Sequence, residues 1–238
     1  MPITKHKPSF TVEHAEELDY VRVAARLRAQ ILSGEFEPGR WLRMQGIADQ
    51  LGVSVQPVRE ALQQLQGDGL VEFLPNRGAR VRGLDRGRLV HIYEIREAIE
   101  SYMARCFAEE SSLRDVQALE AIQREHDAAI DARDRVELSR TNRLFHAAIN
   151  GHGGNDDALA LVKRHYALTG YLAQRLQVGE EYWARVRAEH HALIDAFRRR
   201  DAAAAGEIGA RHVRDRRTEM MAALDLQQPR SNNIPEGK

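Results

Sequence analysis

The sequence predicts a mainly α-helical chain in two parts. A small N-terminal group of helices is closed by a β-hairpin, and an all-α helical bundle follows it. Three observations lead there. Apolar residues recur at helical spacing through most of the 238 residues. The stretch GDGLVEFLPNRGARVRG, 67–83, instead holds two short β-type runs around a turn. The composition then shifts at about 84–88, which marks a boundary with a short linker.

Residues 1–14 are polar and read as a flexible tail. From Tyr20 the spacing turns helical through Val23, Ala24, Leu27 and Ile31, until Gly34 and the EPG turn at 37–39. A short helix about Gln45–Leu51 carries Ile47, Ala48 and Leu51 inward and stops at Gly52. Ser54 is the next N-cap. Pro57 falls in the first turn of that helix, where its missing N–H costs no helical bond, so Ser54 is expected to cap the amide of Gln56. Val58, Ala61, Leu62 and Leu65 form the buried stripe, leaving Val55, Gln56, Arg59 and Gln63 outside. Strands at Leu70–Leu74 and Ala79–Arg82 flank a Pro-Asn-Arg-Gly turn, and 75–88 hold five arginines against one acid, Asp85. From Leu89 the chain reads as helical, with Ile92, Ile95, Ile99 and Met103 keeping the repeat, and further helices are predicted at about 113–132, 134–150, 156–177, 180–200 and 202–224. The tail at 226–238 is polar and reads as disordered.

Composition narrows the function. Charges balance at 35 against 35, which excludes a uniformly basic coat but allows a local basic patch. A single cysteine, Cys106, excludes an intrachain disulfide and suits a reducing cytoplasm. No apolar run approaches membrane-spanning length, and MPITKHKPSF lacks the apolar core of a signal peptide, so a cytoplasmic protein is expected.

Two helices across a tight Gly turn, followed by a basic hairpin, form a winged helix-turn-helix pattern. Its second helix begins abruptly at Ser54, with Val55, Gln56 and Arg59 on the outside, as a helix entering a major groove must. Arg59 suits a phosphate or a guanine edge, Gln56 an adenine, and Val55 a thymine methyl. Gln45, Arg77, Gly78 and Arg80 complete the expected contacts with double-stranded DNA. The alternative is a helical hairpin for protein contact. Here the sequence resembles the GntR family of bacterial transcription regulators, through LRAQILSGEFEPGRWL, IADQLGVSVQPVREALQQLQGDGLV and LPNRGARV. That family usually has arginine and then threonine after the capping serine. Val55 and Gln56 depart from this, so the usual operator half-site does not carry over.

A second constellation lies in the C-terminal half. Asn142 and His146 sit at i, i+4 on one helix face. His190 is in register with Val186, Leu193, Ile194 and Phe197, and His212 follows Ile208 by four residues. Three imidazoles and an amide oxygen converging in a bundle suit a divalent ion, zinc or nickel. Inward histidines are also ordinary hydrogen-bonded core residues, and His6, His14, His91, His126, His152, His165 and His191 are read that way. This half resembles the FCD ligand-binding domain of the FadR-type branch, through EIREAIE, NRLFHAAI with GGN, EHHALIDAFRRRDAAAA and RHV. The resemblance implies a metal held by Asn142, His146, His190 and His212 beneath a small-carboxylate pocket. The short linker implies the six-helix form. Asn142 stands where many relatives have aspartate, which leaves the ion its full double charge. Arg96 is expected either to clamp the effector's carboxylate or to pair with Glu100.

The expected function is a DNA-binding transcription regulator controlled by a small organic acid near a divalent metal. Residues 15–84 would bind DNA, and 85–225 would bind effector and form a homodimer on a palindromic operator. Rival readings are a metal sensor, an architectural DNA protein, and a metalloenzyme with a DNA-binding appendage. The last lacks an HExxH pair, and Glu189 is placed on a different helical face from His190.

Overall fold

The computed structural model describes residues 12–74, 77–175 and 179–227. They fall into two compact units that divide between Leu84 and Asp85.

In the first unit, α1 (Val12–Leu32) lays Val23, Ala24, Leu27 and Ile31 against α3 (Val55–Gly67). The helix already includes residues 12–14, which the sequence assigns to the tail. Between α2 (Met44–Leu51) and α3 the chain turns through Gly52 at φ 67, left-handed backbone that glycine adopts without strain. Val58, Ala61, Leu62 and Leu65 of α3 are fully buried. Apolar spacing thus sets which face of α3 is core and which is left to solvent.

Strands β2 (Val71–Leu74) and β3 (Gly78–Val81) pair antiparallel, with Glu72 opposite Arg80. The expected turn residues Pro75 and Asn76 lie outside the described residues. A third strand, β1 (Trp41–Leu42), pairs on the other side of β3, giving the order β1-β3-β2. A two-residue strand leaves no period-2 pattern, so the sequence reading has only the hairpin.

The second unit holds six helices among the described residues: α4 (Arg86–Glu110), α5 (Leu113–Ala132), α6 (Arg135–Asn150), α7 (Asp156–Arg175), α8 (Glu180–Arg198) and α9 (Ala202–Gln227). Asp85 caps α4 by accepting from the Arg88 amide, and Ser112 with Asp115 forms a capping box on α5. Phe107, Leu119, Phe145, Leu193, Ile194 and Phe197 from four of these helices share one core. Helix α9 packs along α4 more extensively than any other helix pair. Gly206 and Gly209 permit the approach: a Cβ on Gly206 would stand 2.8 Å from the Arg105 Cγ, and one on Gly209 3.3 Å from the Ala104 Cβ. In the gap the Ser101 hydroxyl donates to the Gly206 carbonyl at 2.9 Å. Helix α9 runs to Gln227, so the expected disordered tail loses its first two residues to helix, and 228–238 lie outside the described residues.

Candidate metal centre and nucleic-acid surface

The exposed face of α3 starts at Ser54, whose backbone is extended at φ −71, ψ 167. Its hydroxyl makes no cap hydrogen bond, contrary to the expected bond to Gln56. Pro57 occupies the third helical position and removes the other usual cap partner, so the hydroxyl is left exposed. Gln56 is exposed and donates to Glu60 at 2.7 Å, and Gln45 donates to Asp49 at 2.9 Å. Val55 is half-buried. Arg59 and Arg77 are exposed, and neither is paired among the described residues. Gly78 takes φ 87 at the start of β3.

Arg80 of the wing is paired within the sheet. Its Nε and Nη2 donate to the Glu72 carboxylate at 3.0 and 2.5 Å, and its guanidinium lies 5.7 Å from the Trp41 ring centroid. Register alone puts Glu72 opposite Arg80, and the pairing occupies the guanidinium within the sheet.

In the second unit, α6, α8 and α9 turn His146, His190 and His212 to one point. One ligand nitrogen from each lies within 4.8 Å of the others, and all three side chains are buried. The Nε2 atoms of His146 and His212 are 3.2 Å apart. Two nitrogens bound at about 2.0–2.1 Å to a common tetrahedral ion lie about 3.3 Å from each other.

Neighbouring residues set two of the ring tautomers. Gln123 donates its amide NH₂ to Asp127 at 2.8 Å, so its carbonyl faces His190 and accepts from Nδ1 at 2.9 Å. The bare Nε2 of His190 then points away from Gln123, buried and without a hydrogen-bond partner. The Nδ1 of His212 donates to Glu189 at 2.6 Å. Burial would raise the Glu189 carboxyl, but the His212 contact outweighs it and holds Glu189 below its ordinary range, as an acceptor. Burial first, and then the His212 charge, push His146 and His190 well below the ordinary imidazole range, so both rings are neutral. Phe145 stacks on His190 at 3.9 Å and 7°, locking its plane.

The Asn142 Oδ1, one turn before His146, is likewise buried and unpartnered. Two orphaned acceptors beside three converging imidazoles are a cost that a divalent cation would remove. The donor set therefore fits a metal, and the Gln123 and Glu189 contacts are the kind that orient histidine ligands.

A cavity of about 410 Å³ opens over this cluster, lined by Asn142, His146 and His212 and by Arg96, Arg135, Arg143 and Arg216. Tyr93, Tyr166, Tyr182 and Trp183 supply its rings. Arg96 lies between both expected roles. It lines the cavity, yet its Nε donates to Glu100 at 2.7 Å, and Tyr166 donates its hydroxyl to the other Glu100 oxygen at 2.9 Å. Burial alone would lower the Arg96 guanidinium; the Glu100 carboxylate outweighs it and holds the charge on.

The remaining histidines are mostly structural. His126 is buried, and its Nδ1 meets Thr141 at 2.8 Å. The Thr141 hydroxyl donates to the Glu137 carbonyl, so it accepts from His126. His152 sets its edge on Phe107, His191 binds Asp127, and His91 is exposed. His165 is buried with its Nδ1 unpartnered. His6 and the side chain of His14 lie outside the described residues.

Sequence reasoning missed Gln123, Tyr166, Glu189 and Arg216. It placed Glu189 away from His190, but α8 buries an arc wide enough for both, and Glu189 is 7% exposed. A signal was present: Tyr182, Val186, Glu189 and Leu193 follow helical spacing, as do Val116, Leu119, Gln123 and His126.

Comparison with known proteins agrees with both halves. The model of the gntR family of bacterial regulatory proteins matches residues 19–81, and that of the FCD domain matches 91–215. The gluconate operon transcriptional repressor of Bacillus subtilis (strain 168) is 30% identical over 191 residues, 77% of each chain. The HTH-type transcriptional repressor GlaR of Escherichia coli (strain K12) is 26% identical over 200 residues, 79% of this chain and 89% of the relative. Among solved structures, E. coli McbR/YncC superposes with a TM-score of 0.66 at 21% identity, covering 87% of this chain and 98% of its own.

Proposed function

The chain belongs to the GntR family and carries an FCD domain, and from that premise we propose that a small organic acid, bound near a divalent metal in the FCD domain, controls its operator binding. It is a DNA-binding transcription regulator, not an enzyme. One observation carries the proposal: His146, His190 and His212 converge, with the bare Asn142 Oδ1 and His190 Nε2, under an arginine-lined cavity. Asn142, His146, His190 and His212 would hold the ion, zinc or nickel, which supplies a Lewis-acidic anchor for a carboxylate. Because Asn142 brings no charge, the site keeps an excess of positive charge that favours an anion. Arg96 faces the same cavity as a secondary contact.

In this reading residues 15–84 bind DNA and 85–225 sense the acid and dimerise. Ser54, Val55, Gln56 and Arg59 meet the major groove, Gln45, Arg77 and Arg80 meet phosphates, and Gly78 sets the wing turn. A two-fold homodimer sets two copies of α3 on a palindrome, about one turn of DNA apart. No helix among the described residues is long and apolar enough to cross a membrane, which accords with a cytoplasmic regulator.

Replacing His190 by alanine tests the proposal. The variant should lose stoichiometric metal and its response to acid while keeping operator binding, because the DNA helices belong to another unit. Full metal content by elemental analysis in a folded His190→Ala protein would refute the site.

A further inference from the structure

The four arginines of the cavity are not equivalent. Arg135 and Arg143 are exposed. Arg96 is buried, but Glu100 takes its charge. Arg216 is different. It stands one helical turn after His212 on α9, with its guanidinium 5.0 Å from the Tyr182 ring centroid. Its Nη1 is buried and has no hydrogen-bond partner. Among the described residues no carboxylate is paired with Arg216, and none lines the cavity. A buried guanidinium N–H left bare is costly, and it is tolerated where an acceptor arrives from elsewhere.

The walls say what kind of acceptor. Tyr93, Tyr166, Tyr182 and Trp183 present rings, and the Tyr166 hydroxyl already donates to Glu100. Of the polar groups in the walls, Thr169 donates to the His165 carbonyl at 3.0 Å, Ser139 accepts from Arg143 at 2.6 Å and Asn142 belongs to the metal cluster, so a ligand with many hydroxyls meets more ring than open partners.

We propose that Arg216 is the anion anchor of this cavity and that its ligand is an aryl carboxylate, one acid group on a flat apolar body. The proposal rests on the acid-responsive reading above and narrows it. A guanidinium takes a carboxylate in its own plane through paired N–H bonds. Tyr182, with its ring centroid 5.0 Å from the guanidinium carbon, restrains the group by packing against it. The ligand's ring then packs on the remaining aromatic walls. A cavity of about 410 Å³ is at the small end of ligand sites, suited to a body of one or two rings. A polyhydroxylated acid of similar size would bury hydroxyls against rings without partners, a penalty an aryl acid does not incur.

The test uses the full chain, metal-loaded and with its metal content measured. Benzoate and gluconate are the probes, titrated by calorimetry and by the fluorescence of Trp183, with Trp41→Phe removing the other tryptophan. Benzoate should bind and quench Trp183, with gluconate at least about 10-fold weaker. Arg216→Met, which keeps a long side chain on Tyr182, should weaken benzoate by about 10- to 100-fold with metal content unchanged, and Arg216→Lys should restore part of the loss. Equal benzoate affinity in wild type and Arg216→Met would remove Arg216 from the site. Gluconate binding in place of benzoate would overturn the aryl class. In both cases the acid-responsive reading would stand. If neither acid binds, the proposal is overturned, whereas the metal site is decided separately by the His190→Ala protein.

Discussion

Glu100→Gln isolates the charge in the buried arginine cluster. The side chain keeps its shape, so no cavity opens. What changes is that Arg96, 4% exposed, loses the anion paired with it among the described residues, and Glu100, 5% exposed, loses the charge that accepted from Arg96 and Tyr166. Breaking a buried pair by removing one partner costs about 3–5 kcal/mol. The Tyr166 hydroxyl can turn to accept from the new amide, which leaves one oxygen for Arg96, so the lower end applies, about 3 kcal/mol. For a unit of this size that corresponds to a fall of about 6–12 °C in Tm. Urea unfolding followed by circular dichroism, on protein free of metal and acid, measures it. The double variant Arg96→Met with Glu100→Leu removes both charges and should recover to within about 1 kcal/mol of wild type. A loss below about 1 kcal/mol for Glu100→Gln, or a double variant as weak as the single, would refute the argument that an uncompensated charge sets the cost.

Three other outcomes follow. Arg59→Ala, on the exposed face of α3, should weaken operator binding by about 1–3 kcal/mol in gel-shift titrations at fixed salt, and unchanged affinity in a folded variant would take Arg59 out of the interface. Asn142→Asp should tighten the metal and weaken the acid, since the added charge attracts one and repels the other; calorimetry showing stronger acid binding would contradict the charge argument. Burial pushes His165 from 6.5 down to about 4, so the stability it contributes is present above about pH 6.5 and lost as pH falls from there to about 4. His165→Gln should flatten the decline of the urea midpoint across that window, and an unchanged slope would mean that His165 does not titrate there.

Some of this molecule can be read from its sequence, and the division has physical reasons. The α3 stripe of Val58, Ala61, Leu62 and Leu65 is legible because burial on a helix is periodic. The same rule turns His146, His190 and His212 inward. Periodicity cannot say that three inward faces meet at one point; the resemblance to a known domain supplies that step. Arg80 shows the opposite limit. Its partner Glu72 is fixed by strand register, which composition does not encode. Strand β1 exists only through its pairing with β3. Glu189 and Arg216 are long charged residues on helix faces, where sequence gives exposure as the default. Only packing shows that one orients an imidazole and the other ends in a buried, unpartnered Nη1.

The glycine contact between α4 and α9 has a mechanical consequence. With no side chain at Gly206 or Gly209 to cushion the two backbones, the helices are geared together. His212 and Arg216 ride on one and Arg96 and Glu100 on the other, so the contact joins two walls of the same cavity. Helix α4 then acts as a shaft: ten residues, about 15 Å of stiff hydrogen-bonded backbone, join Arg96 to the first turn at Arg86. Only four residues separate that turn from the end of β3. Alanine at Gly209 would press on the Ala104 Cβ and loosen the contact between α4 and α9 without touching a single ligand contact.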